Sequence, residues 1–200
     1  MSLEKSTGTN FREAASGSFI YALDNALSSS VCEEMIARFE HHPEQQYQGR
    51  IGQAAEREES IKRSTDLRIS GNPRWQDVDL VLRDSLSHAL GLIAGIHPFF
   101  KANRLRDIGY NMQKTGPGEY YHWHVDGGPG EFALRQLVAI WYLNNAPTSG
   151  GATEFHFQDV SIRPEQGMLL LFPPFWTHVH RGKTVDKGEK YIATTWVCVD

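Results

Sequence analysis

Two side chains able to bind metal stand almost side by side, His124 and Asp126, with only Val125 between them. On a strand, residues i and i+2 point to one face, so an imidazole and a carboxylate would project together into one space. A second histidine cluster, Thr177–His180, arrives much later in the chain. Two neighbouring ligands and one distant histidine are what a two-histidine, one-carboxylate face on an octahedral metal needs. Fe(II) is its usual occupant, with the other positions open. Spacing alone leaves both His178 and His180 available as the distant ligand. Further on, Lys190 and Thr194 share a period-two face of the last apolar segment. A buried lysine beside a metal needs an anionic partner, which a bound carboxylate supplies. Tyr142 alternates toward one side of a central apolar run and can add its hydroxyl. An isolated His-x-Asp often arises by chance, and a lysine can equally end a surface strand. The weight lies in the set.

The elements that must position this set are read from periodicity. Phe19–Leu23 reads as a short strand. Ser28–Ser30 offers N-cap candidates, with Glu33 and Glu34 in the first turn, and Val31, Met35 and Phe39 make the apolar stripe of a helix ending near His41–Pro43. Residues 45–59 are polar and aperiodic, a loop of roughly 15 residues that serves as a lid or a disordered edge. Ser64–Ser70 alternates as a strand, and Trp75–Ile96 has the helical period of a sheet-covering helix. From Arg104 the period becomes two, which places Ile108, Tyr110 and Met112 on one strand face. Leu134–Leu143 is a central strand, with Val138, Ile140 and Tyr142 on one face and Ala139, Trp141 and Leu143 on the other. Ala152–Phe157, Gly167–Phe172 and Lys190–Val197 are further strands, separated by Gly- and Pro-rich turns. Two early helices followed by about eight short strands indicate a mainly β fold with flanking helices, a double-stranded β-helix (jelly-roll, cupin-like) core.

The chain has 200 residues, 20 basic and 24 acidic, for a net charge of −4. That length suits one domain, read as 17–200 behind a flexible segment 1–16. The acidic balance argues against a nucleic-acid surface. Cys32 and Cys198 lack ligand or redox spacing and read as buried hydrophobes in a reducing compartment. The start lacks the apolar core of a signal peptide, and no apolar run is long enough for a membrane span. The expectation is a cytoplasmic protein without a membrane or nucleic-acid partner; nothing in the sequence sets its oligomeric state.

These motifs resemble the Fe(II)/2-oxoglutarate-dependent dioxygenases, in their prolyl-4-hydroxylase-like branch. The resemblance is carried by Gly118, Tyr121, His124 and Asp126; by Tyr142–Asn144, Gly150, Gly151, Thr153 and Phe155; and by His180, Gly182, Val185, Gly188, Lys190 and Trp196. It is strong over 105–198 and extends over most of 19–199. It implies His124, Asp126 and His180 as iron ligands, leaving His178 as a support behind the ligands or a pocket wall, and His122 outside the set. It implies Lys190 as the partner of the far carboxylate of 2-oxoglutarate, assisted by Tyr142 and Thr194, with O2 as the oxidant. Where the family commonly carries a tyrosine, this chain has Thr115, and Tyr110 or Met112 is expected to line the space instead. Asp126 as a carboxylate ligand implies hydroxylation rather than halogenation.

The expected activity is therefore hydroxylation of an unactivated C–H bond with release of succinate and CO2. A 200-residue catalytic unit suits a free amino acid or small natural product, with a peptidyl residue as the alternative substrate. Candidate substrate contacts are Arg135, Trp123, His178, Trp176 and Glu154, together with Arg57 or Arg68. A non-oxidative cupin-like metal protein would use the same barrel but would be indifferent to 2-oxoglutarate.

Overall fold

The structure is a computed structural model and describes residues 10–52 and 56–200. Its strands begin with β1 (Phe11–Glu13), β2 (Tyr21–Leu23), β3 (Tyr47–Gln48), β4 (Lys62–Arg63), β5 (Thr65–Arg68) and β6 (Leu105–Asp107). They continue with β7 (Asn111–Thr115), β8 (Tyr120–His124), β9 (Arg135–Tyr142), β10 (Ser149–Gly150) and β11 (Thr153–Phe155). The last are β12 (Val160–Ile162), β13 (Leu169–Phe172), β14 (His180–Gly182), β15 (Val185–Lys187) and β16 (Lys190–Val199). Two long helices, α1 (Ser29–His41) and α2 (Gln76–Ile96), precede the central strands.

A nine-stranded sheet runs β1-β2-β13-β9-β16-β7-β5-β3, with β6 also on β16, and a five-stranded sheet runs β12-β11-β14-β8-β4. The expected double-stranded β-helix core with flanking helices is what forms. The alternation in β9 decides how it packs. Ala139, Trp141 and Leu143 join Cys32, Met35 and Phe39 of α1 and Leu82, Leu86 and Ile93 of α2 in one core. Val138, Ile140 and Tyr142 join Leu170, Phe172, Ile192 and Phe155 in a second core, between the two sheets. A strand apolar on both faces is stable only when both are covered, and here helices cover one face and the small sheet the other.

Helix α1 starts at Ser29, where the Ser28 hydroxyl accepts the Val31 N–H at 3.3 Å. Glu33 and Glu34 therefore lie beyond the first turn, where they were expected. Cys32 and Cys198 are free and buried. Among the described residues no helix is long and apolar enough to cross a membrane.

Four expectations change. Residues 1–9 lie outside the described residues, but Phe11–Glu13, placed in the flexible segment, is a strand paired with Tyr21–Leu23. Phe19 is not in a strand: its φ is 56°, a left-handed backbone that ends the extended run. The segment 45–59 is not featureless. Tyr47 and Gln48 add β3 to the edge of the large sheet, and Ile51 bridges Glu56. Gly49 is required there, since a Cβ would stand 2.2 Å from the Ser64 hydroxyl. The strand expected from Arg104 is broken at Gly109, whose φ is 88°. That break reverses the parity: Ile108 faces the cleft, whereas Tyr110 and Met112 turn into the helix-side core.

Candidate active site

His124 ends β8 and His180 opens β14, and the two are direct partners across an antiparallel ladder. Their rings lie 4.2 Å apart. Each Nδ1 is tied to the backbone carbonyl two residues earlier, His124 to His122 at 2.7 Å and His180 to His178 at 3.0 Å. A Nδ1–H held by a carbonyl fixes the tautomer and leaves the Nε2 lone pair free to ligate. Both Nε2 atoms face the Asp126 carboxylate, at 4.0 Å from His124 and 3.4 Å from His180. One ligand atom from each of the three residues lies within 4.8 Å of the others.

The electrostatics favour the ligating forms. Burial, reinforced by His180, pushes the His124 imidazolium down to about 3, so the ring is neutral. Burial alone would raise the Asp126 carboxyl, but the nearby His180, His124 and Arg135 outweigh that and hold it below the usual carboxylate range. Asp126 is also fixed through its backbone. Its N–H donates to Pro174 at 3.1 Å, and its carbonyl accepts from the Arg135 guanidinium at 2.7 Å. Two imidazoles held by their Nδ1 atoms and an ionised carboxylate, converging on one point, fit a divalent metal.

On the opposite wall, β16 carries Lys190, only 6% exposed. Burial pushes its ammonium down to about 8. Its Nζ donates to the Thr153 hydroxyl at 3.3 Å and lies 5.4 Å from the centre of the Tyr142 ring. No carboxylate neutralises it among the described residues. A buried cation without a counter-ion, directed into the cavity that holds the metal triad, fits the far carboxylate of 2-oxoglutarate.

His124, Asp126, His180, Lys190, Thr194, Arg135 and Arg68 all line one cleft of about 1300 Å³. Arg135 is buried there, its guanidinium 3.7 Å from the Phe132 ring and 4.1 Å from the Trp196 ring. Tyr142 reaches the site indirectly, since its hydroxyl donates to Thr153 at 2.7 Å beneath Lys190.

The remaining expected site residues lie elsewhere. Tyr110 is 1% exposed in the helix-side core, with its hydroxyl on Asp107 at 3.2 Å. Trp123 lies under the Arg181 guanidinium, 4.5 Å away, outside the cleft. Glu154 pairs with Arg181 and Lys183 rather than facing a substrate. Trp176 is 76% exposed and lines no part of the cleft. Of the two places expected for His178, it lies behind the ligands and not on the cleft wall: its Nε2 lies 2.9 Å from the Ser18 carbonyl, and its own carbonyl holds His180. Arg57 pairs with Glu59 away from the site.

One irregularity accounts for part of this. His180 faces His124 and Gly182 faces Tyr121, so a bulge sets His122 and Trp123 together opposite Arg181. The extra residue puts Tyr121 and His124 both in the cleft and turns His122 out of the parity it would otherwise share with His124.

Sequence reasoning missed the β7 row Asn111, Gln113 and Thr115, and the pair Lys62–Asp66, all lining the cleft. Thr115 stands in register with Lys190. Lys62 and Asp66 are 2.7 Å apart and both buried. Lys62 also lies 5.3 Å from the centre of the Tyr121 ring, which stacks on His124 at 3.5 Å. The spacing of Lys62 and Asp66 was visible, but nothing marked the short strands that carry them inward.

Residues 110–198 match the family model described as 2OG-Fe(II) oxygenase superfamily. Transmembrane prolyl 4-hydroxylases of Homo sapiens and Mus musculus are each 24% identical to the chain, over 44% of this chain and 29% of the relative. The match thus spans less than a third of those curated relatives. The fold is shared with the viral collagen prolyl hydroxylase of Paramecium Bursaria Chlorella virus-1 in its 2OG complex, at a TM-score of 0.69 and 21% identity over 92% of this chain and 97% of that one. A prolyl hydroxylase of Trichoplax adhaerens, in complex with a hypoxia-inducible-factor peptide fragment, gives a TM-score of 0.74 and 19% identity over 91% and 84%. A Pseudomonas putida prolyl-4-hydroxylase gives 0.67 and 21% over 91% and 93%.

Proposed function

We propose, from the match of residues 110–198 to the 2OG-Fe(II) oxygenase superfamily model and the fold shared with prolyl hydroxylases, that this chain is a prolyl-4-hydroxylase-like member of that superfamily and hydroxylates a prolyl residue of a peptide or protein, using Fe(II), 2-oxoglutarate and O2. The observation that carries the chemistry is the convergence of His124 Nε2, His180 Nε2 and the Asp126 carboxylate opposite an unneutralised Lys190. Residues 17–200, with the hairpin that begins at Phe11, are read as one catalytic domain.

In this reading His124, Asp126 and His180 hold the iron, and the two carbonyl-bound Nδ1 atoms keep both imidazoles in the ligating tautomer. Lys190 receives the far carboxylate of 2-oxoglutarate, with Thr153 and Tyr142 holding the ammonium in place and Thr194 on the same wall. The iron, 2-oxoglutarate and O2 together supply the oxidising power to convert C–H to C–OH, with succinate and CO2 as co-products. The protein orients and desolvates: Phe155 and Phe172 pack against His180, and buried side chains exclude water around the ligands.

The smaller-substrate reading gives way on the shape of the cleft. About 1300 Å³ is larger than most small-molecule sites. Its lining takes in Tyr47 and Arg50 on and beside β3 as well as Glu131 and Phe132 just before β9. Such a trough suits an extended chain with one residue lowered to the metal, and the prolyl hydroxylases that share the fold support a peptide over a free amino acid. The test is succinate release with a panel of prolyl peptides, read with mass spectrometry for a gain of one oxygen. A loaded enzyme that hydroxylates free amino acids but no peptide would refute the peptidyl reading. Normal turnover in Lys190→Ala would refute the role of 2-oxoglutarate and favour a non-oxidative cupin-like protein.

A further inference from the structure

What the peptide must carry is written in the charge of the cleft, an inference that rests on the peptidyl reading above. The chain as a whole is net negative, at −4. Its cleft is the reverse, lined by six lysines and arginines against three carboxylates. Most of these charges are committed. Lys62 is paired with Asp66. Fe(II) and Lys190 together offset Asp126 and dianionic 2-oxoglutarate. Arg135 is fixed against the Asp126 carbonyl between two aromatic rings, and Lys183 reaches Glu154 on the outer face.

The excess that remains is concentrated on one wall. Arg50 lies 5.6 Å from the centre of the Tyr47 ring on β3. Arg68, on β5, donates its Nε to the Ser70 carbonyl at 3.2 Å. Among the described residues, neither guanidinium has a carboxylate partner. Exposed arginines are ordinarily just solvated, but here the wall continues inward through β7. Asn111 pairs in register with Arg68. Next on the same face of β7, Gln113 is only 9% exposed and lines the cleft.

We propose that this wall reads a carboxylate: the substrate peptide carries an acidic side chain near the oxidised residue, received by Arg68 and Arg50, while Asn111 and Gln113 bind the adjoining backbone. A guanidinium presents a planar fork that matches a carboxylate in two parallel hydrogen bonds. The surplus positive charge also steers an anionic chain toward the cleft and repels a basic one.

The experiment uses the full chain loaded with Mn(II) and a 2-oxoglutarate analogue that cannot be decarboxylated. Fluorescein-labelled prolyl peptides bearing Asp or Glu at positions flanking the proline are compared with their Asn or Gln counterparts by anisotropy; turnover with Fe(II), 2-oxoglutarate and O2 is measured in parallel. The acidic member of the best pair is expected to bind about tenfold tighter, the scale of one charge-assisted contact. The same ratio is expected in KM, with kcat little changed. Arg50→Glu and Arg68→Glu together should invert the preference toward lysine-bearing peptides, whereas Arg57→Glu, outside the cleft, should keep it. Equal binding of acidic and amide peptides, or binding of neither, overturns the charge proposal, as does an acid preference that survives the double variant. Acidic peptides that bind selectively but gain no oxygen overturn the prolyl reading and leave the charge preference standing.

Discussion

Lys190→Met should make the protein more stable and unable to take up its co-substrate. Burial moves the lysine from 10.5 in the unfolded chain to about 8 in the folded one. At about 1.4 kcal/mol per unit, a charged Lys190 costs the ligand-free fold about 3 kcal/mol at neutral pH. Methionine fills similar space without a charge. The variant loses the hydrogen bond to Thr153, worth about 1 kcal/mol, although Thr153 keeps its bond from Tyr142. The net gain is about 2 kcal/mol, or roughly 4–8 °C in melting temperature for a domain of this size. The sign with pH follows from a folded pKa below the unfolded one. Between about 8 and 10.5 the unfolded chain binds the extra proton, so wild-type stability rises with pH through that window. Below about 8 the penalty is constant. The assay is thermal unfolding of both proteins in chelator without 2-oxoglutarate, from pH 7 to 10. Lys190→Met should melt higher at pH 7, and the gap should close as the pH rises. Adding 2-oxoglutarate and Mn(II) should raise the wild type more than the variant. A variant that melts at or below the wild type at pH 7, with no convergence above pH 8, would show that the ammonium already has a counter-ion or water and refute the reasoning.

Two further outcomes are expected. Mn(II) at a hundredfold excess over its dissociation constant should stabilise the wild type by about 3 kcal/mol through mass action, and His180→Ala should abolish that shift in a melting assay; an unchanged shift would place the metal elsewhere. Asp66→Ala strands the buried Lys62 and should cost about 3 kcal/mol in urea unfolding, most of it restored by adding Lys62→Met. A single variant within about half a kcal/mol of wild type would show the pair to be solvated.

The sequence made legible what depends on pattern within a single strand. In β9 the alternation named both buried faces; His124 and Asp126 stood out by type and spacing, although Asp126 sits in the bend after β8 and not on the strand face that the spacing suggested. It failed where one residue changes the count. Gly109 reverses the parity of β7, sending Tyr110 into the core and Gln113 into the cleft. The bulge at His122 and Trp123 does the same in β8. Neither glycine nor histidine announces a bulge, because pairing with a distant strand creates it. The two-residue strands β3 and β4 were invisible for a related reason: their order comes from neighbours, not composition. Chain length, used to infer a small substrate, says nothing about how far a cleft opens between two sheets.

The two walls of the cleft are unequally supported. Lys190 and Thr194 ride on β16, which lies within the large sheet and is backed by α1 and α2. All three candidate metal ligands ride on the small sheet or the turn just after β8. Among the described residues no helix backs that sheet; its far side carries the exposed Trp123 and the ion pairs of Glu154. A 2-oxoglutarate molecule reaching from the metal to Lys190 would therefore act as a tie-rod between a stiff plate and a compliant one. Its arrival would set the spacing of the trough, so the width offered to a peptide would be fixed only after the co-substrate is in place.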